Sequence, residues 1–193
     1  MHKMRNLAVF ASGSGSNAEN LYNHFLGSKS VKIDLILSEN PNAFVLERAK
    51  KLKIDQWVFT LDQLRSGAVG DELKSRSIDF IVLAGFLKRI PDSLISMFPQ
   101  RIVNIHPALL PKYGGKGMYG MHVHRSVIAA KEFESGITIH YVNERYDEGH
   151  IIFQAKCTVD KNDTAEDLAE KIHDLEYRYF PQIVEKVVTG IIP

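Results

Sequence analysis

The order of apolar segments is what most restricts the fold of this chain. Short apolar runs at residues 7–11, 32–37, 56–59 and 80–84 read as strands, and between them residues 17–26, 43–52 and 61–76 carry apolar side chains at helical spacing. Strands separated by helices cannot pair as hairpins, so the pattern predicts parallel strands with helices on both faces. Asn42 and Asp62 are the expected helix caps. The second half reads differently. A strand at 101–105 leads into a proline- and glycine-rich loop at 107–120 and a helix at 122–131. Strands at 136–142 and 151–159 then bracket the polar loop 143–150 as an antiparallel pair. Thr164, with Asp167 three residues on, opens an amphipathic helix expected to run to about Phe180. The expected fold is a three-layer α/β domain spanning residues 1–193. Its twisted sheet is mostly parallel, with a Rossmann-like N-terminal half and an antiparallel strand pair in the C-terminal half.

Composition removes several classes of function. With 24 basic and 23 acidic residues the net charge is +1, and no long run of either sign marks a nucleic-acid binder. The single cysteine, Cys157, rules out a disulfide or a multi-cysteine metal site within one chain. No run approaches the roughly 18 apolar residues of a membrane span, and the run at 7–11 is too short for a signal peptide, so a cytoplasmic protein is expected.

Two constellations carry chemistry. Ser12-Gly13-Ser14-Gly15-Ser16-Asn17 follows a strand and opens a helix, where tight glycine turns and free N–H groups suit a phosphate. Gly13, Gly15 and Ala18, with Glu39 further on, also satisfy a loose dinucleotide fingerprint, but nothing later in the chain suits hydride transfer. A mononucleotide phosphate is the better reading. In Asn104-Ile105-His106-Pro107, strand alternation sends Asn104 and His106 to one side, so an amide donor and an imidazole can address the same reacting centre. His122 and His124 sit two apart on a helix, a spacing that points the rings apart and disfavours a metal.

Taken in order, Ser12–Asn17, Leu83-Ala84-Gly85-Phe86-Leu87, the segment from Asn104 to Tyr113, Gly136-Ile137-Thr138-Ile139-His140, Tyr146-Asp147-Glu148-Gly149 and Leu175-Glu176-Tyr177 span nearly the whole chain. This set resembles the phosphoribosylglycinamide formyltransferases, a folate-dependent formyltransferase family. The resemblance implies formyl transfer from 10-formyltetrahydrofolate to the amine of glycinamide ribonucleotide, a step of purine synthesis, without a metal. It implies that His106 is catalytic, that Asn104 binds the developing oxyanion and that Asp147 orients or charges the histidine. Gly15, Ser16 and Asn17 correspond to the phosphate site and Glu176 to the ribose site, and His173, one helical turn before Glu176 and on the same side, is expected as a further phosphate donor. Leu87, Lys88, Arg89 and Ile90 align with the segment contacting the pterin, and Asn143, Glu144, Arg145 and Tyr146 with the loop enclosing it.

Departures from the pattern are a longer, glycine-rich loop at 114–120 and Arg89 in place of a common apolar residue. Arg65 is one candidate for the basic residue that family members carry before their folate strand, which corresponds to Leu83 to Leu87. Asp147 beside His106 is expected to raise the histidine's pKa. The partners expected are small molecules, to a monomer or homodimer. The rivals are formyl transfer to initiator methionyl-tRNA, hydrolysis of the formyl donor and a non-catalytic nucleotide-binding module. A nearly neutral chain ending at 193 argues against the first, and a phosphate loop so near the start against the second.

Overall fold

The computed structural model describes residues 4–192. Its elements are β1 (Arg5–Phe10), α1 (Ser16–Phe25), β2 (Val31–Ser38), α2 (Phe44–Leu52), β3 (Asp55–Val58), α3 (Leu61–Ser66), α4 (Ala68–Ser75), β4 (Phe80–Leu83), α5 (Asp92–Met97), β5 (Ile102–His106), α6 (Met121–Ala129), β6 (Glu134–Tyr141), β7 (Ile151–Thr158) and α7 (Ala165–Val188). The strands form one sheet in the order β3-β2-β1-β4-β5-β6-β7. Strands β1 to β5 pair in parallel, while β6 runs antiparallel to both β5 and β7. The expected three-layer α/β architecture is therefore the one observed.

Alternation along β1 builds the two faces. Leu7 and Val9 enter a core shared with Leu21 of α1, Val45 of α2 and Leu168 and Phe180 of α7. Ala8 and Phe10 enter the opposite core with Leu64 of α3, Leu73 of α4 and Leu94 of α5. A central strand buried on both faces has to be apolar throughout, and Leu7 to Phe10 are fully buried.

The structure adds a short helix, α5, that the sequence reading did not expect, and differs from that reading at four further places. The helix expected over 61–76 is split at Gly67, whose φ of 94° lies in the left-handed region and ends α3. Its cap is Thr60, in a reciprocal capping box with Gln63, rather than Asp62. Ala43, not Asn42, caps α2, without a side-chain bond. The last helix continues beyond Phe180 to Val188 with Pro181 inside it. Proline supplies no N–H to the carbonyl four residues back, that of Tyr177. The Asn20 amide donates to that oxygen at 2.9 Å instead, and Ile183, Val184, Val187 and Val188 keep the apolar face buried. The capping box of Thr164 and Asp167 forms as expected.

Candidate active site

The strand order reverses between β1 and β4, and ligands of open α/β sheets bind beyond the carboxyl ends of strands at such a point. A cleft of about 1110 Å³ opens there. Every residue singled out from the sequence for catalysis, acceptor or folate lines it, from Gly15, Ser16 and Asn17 through Leu87 to Ile90, Asn104, His106 and Asn143 to Asp147, to His173 and Glu176. Two other candidates are not brought to it. Arg65 pairs with Asp62 on the exposed face of α3, and Glu39 is buried beneath the loop, accepting from the Ser12 hydroxyl at 3.0 Å with Lys88 at 4.0 Å. Glu39 thus anchors the loop rather than presenting a carboxylate to a ribose.

The loop between β1 and α1 is shaped from below by α2. Gly15 has φ 71°, and a Cβ there would stand 2.8 Å from the Val45 backbone. The Val45 N–H donates to the Gly13 carbonyl at 3.0 Å, and Arg48 donates to the Ser14 carbonyl at 2.8 Å. No side chain caps α1, so its first N–H groups keep their capacity to meet an anion. Across the cleft, Glu176 of α7 accepts from the Asn17 amide at 2.8 Å through Oε2. His173 Nδ1 lies 3.5 Å from the same oxygen. That carboxylate holds the His173 pKa above the ordinary histidine value, against the opposing effect of burial.

At the end of β5, Asn104 and His106 emerge on one side, opposite His140 and Thr138 of β6. His140 Nδ1 donates to the Tyr141 carbonyl at 2.8 Å, which leaves Nε2 to accept from the Asn104 amide at 3.1 Å. One N–H of that amide is so fixed, and its second remains for a ligand. His106 Nε2 donates to the Tyr113 carbonyl at 2.8 Å, and its Nδ1 lies 3.6 Å from Asp147 Oδ2. Asp147 sits at φ 57°, accepts from the Gly115 N–H at 2.8 Å and faces His140 Nε2 at 3.7 Å, beyond hydrogen-bond length.

Burial, with His106 only 4% exposed, is the largest influence on its pKa and lowers it. Asp147, the Tyr113 carbonyl and Glu176 raise it without overcoming that loss of solvation, and His140 adds to the lowering. The expected rise is overturned, and His106 is a neutral imidazole at pH 7. For Asp147, burial acts to raise the pKa, but His140, His106 and the Gly115 N–H outweigh it and keep the carboxylate ionised.

Where the sequence reading expects the folate, Arg89 donates to the Glu144 carbonyl at 3.0 Å and pairs with Asp92 at 2.6 Å, tying the segment after β4 to loop 143–147. Phe86 stacks edge-on against Phe10 at 5.3 Å and fixes the start of that segment. The sequence reading gave no role to His140 or to the Tyr113 carbonyl. His140 stood in the sequence only as the end of a segment carrying the resemblance, and its place beside Asn104 follows from the register of β5 and β6.

A formyl transferase family model matches residues 5–184. The chain is 34% identical to the phosphoribosylglycinamide formyltransferase of Haemophilus influenzae, over 97% of this chain and 89% of that one. The chain belongs to the phosphoribosylglycinamide formyltransferase family. A chloroplastic family member from Arabidopsis thaliana is 39% identical over 94% of this chain. The chain spans 65% of that relative's length. A solved family structure from Anaplasma phagocytophilum superposes with a TM-score of 0.90 at 32% identity, covering 99% of this chain and 90% of that one.

Proposed function

We propose that this chain, as one formyltransferase domain over residues 1–193, transfers the formyl group of 10-formyltetrahydrofolate to the amine of glycinamide ribonucleotide in purine synthesis, in the cytoplasm and without a metal. The observation that carries this reading is one cleft joining an anion-accepting helix start to an amide–imidazole–carboxylate centre. An acceptor with phosphate at Gly15 to Asn17 and ribose hydroxyls at Glu176 would extend its amine toward Asn104 and His106, and the folate donor would enter past Leu87 to Ile90 and Asn143 to Tyr146. As the amine attacks the formyl carbon, the free N–H of Asn104 donates to the oxygen that gains charge. His106 Nδ1, neutral and unbonded, takes the amine proton and returns it to the departing folate nitrogen. Asp147 stabilises the imidazolium formed between those two events. The test mixes the pure protein with the donor and follows the tetrahydrofolate chromophore. Release only with glycinamide ribonucleotide present supports the transfer, and release without it identifies a hydrolase.

A further inference from the structure

His124 is a buried polar side chain of the cleft that neither the fold nor the proposed chemistry uses. It is 6% exposed, stands on α6 between the core residues Val123 and Val127, and lines the cleft. Its neighbour His122 turns outward and packs edge-on to Tyr119. Nδ1 of His124 has no hydrogen-bond partner among the described residues. Buried polar atoms without partners are rare, because leaving water without a replacement bond costs stability, and each calls for a reason.

A second such atom is Oδ1 of Asn17, a residue only 9% exposed in the same cleft. The Asn17 amide nitrogen is already held by Glu176, so its oxygen is what remains to be met. The third, Ser135 Oγ, lies on β6 outside the cleft. His124 is within electrostatic reach of both Glu176 and His106. Burial lowers its pKa more than Glu176 raises it, and His106 adds to the lowering. It is therefore a neutral ring with one donor and one acceptor nitrogen.

Under the proposed function, the acceptor group that lies between the ribose at Glu176 and the amine at His106 is an amide, with one N–H and one carbonyl. A neutral imidazole carries one donor and one acceptor nitrogen on different sides of its ring, so it meets such an amide with one hydrogen bond, to either the carbonyl or the N–H, where a cation could meet only the carbonyl and a carboxylate only the N–H. We infer that His124 binds the amide linkage of the acceptor and makes the cleft selective for a ribosyl amide over a plain ribose phosphate. The inference rests on the reading of the acceptor above.

The test compares wild type, His124→Phe and His124→Asn by calorimetric titration with glycinamide ribonucleotide and with ribose 5-phosphate, alongside KM, kcat and the thermal midpoint. His124→Phe should weaken glycinamide ribonucleotide roughly tenfold, the size of one lost hydrogen bond, and leave ribose 5-phosphate unchanged. His124→Asn, which keeps a donor and an acceptor, should recover part of the loss. The midpoint of His124→Phe should equal or exceed that of wild type, since the change removes an unpartnered polar atom. Unchanged glycinamide ribonucleotide affinity in both variants, or an equal loss of ribose 5-phosphate, overturns the assignment. Wild type that fails to bind glycinamide ribonucleotide defeats the acceptor reading and this one together, whereas wild-type turnover with unaffected variants defeats this one alone.

Discussion

At His106 two influences act on one imidazole, and their balance sets how the centre works. A carboxylate 3.6 Å away favours the cation, but near-complete burial favours the neutral ring and wins. A neutral histidine can accept a proton from the attacking amine, whereas an imidazolium would have to lose one first. The acid limb of kcat/KM should therefore fall below the ordinary histidine value of about 6.5. Activity is full above that limb and lost as pH drops through it. Asp147→Asn removes a group that raises the His106 pKa, so the limb should move to still lower pH while kcat falls. A limb above that of an exposed histidine in the pH profile, or in an NMR titration of His106, would contradict the balance described. His106→Ala and Asn104→Ala should each cut turnover roughly a hundredfold while ligand binding is nearly kept, because in the proposed mechanism both act on the tetrahedral centre rather than the ground state. For the same reason the double variant should lose less than the product of the two. Single variants within a few-fold of wild type would return both residues to a structural role.

The element that most tightly couples backbone to binding is the loop between β1 and α1. Gly15→Ala meets a left-handed φ and a Cβ placed 2.8 Å from the Val45 backbone, which no side-chain adjustment relieves. The loop has to shift off α2, and acceptor affinity should fall at least tenfold, with the folate site undisturbed. Titration with each ligand separates the two effects; an equal loss of both would place the damage in the fold as a whole. That glycine was legible in the sequence because a strand, a Gly-Ser run and a helix followed one another. The strands and the placing of the site at their carboxyl ends were legible for the same reason, alternation and order being local properties. The split at Gly67 was not, since Leu64, Val69 and Leu73 keep an apolar rhythm across it. Nor was the full length of α7, where Pro181 reads as a stop unless Asn20, remote in sequence, is known to satisfy the Tyr177 carbonyl. The sign of the His106 shift was missed because Asp147 is visible in the sequence and the loss of water around the ring is not.

Across the whole molecule, the cleft concentrates polar groups that the fold does not need, and this shapes how stability responds to acid. His106 and His124 both have folded pKa values below their unfolded ones, each chiefly through burial. Between the folded value and about 6.5, the unfolded chain then binds more protons than the folded one, and stability declines as pH falls through that window. His173 acts in the opposite sense. Its folded pKa is raised, so its contribution is present at low pH and is lost as pH rises through that value. It is 43% exposed at the side chain, so solvent screens it and it offsets the buried pair only in part. Asp147, held below its ordinary value, adds a further loss at lower pH, when the carboxylate is finally protonated. Replacing one buried histidine should therefore flatten the acid side of the stability curve. His124→Phe should lose less unfolding free energy than wild type between pH 7 and pH 5, as urea titrations at several pH values would measure. Identical pH slopes for the two proteins would mean that His124 does not titrate differently in the folded and unfolded chains.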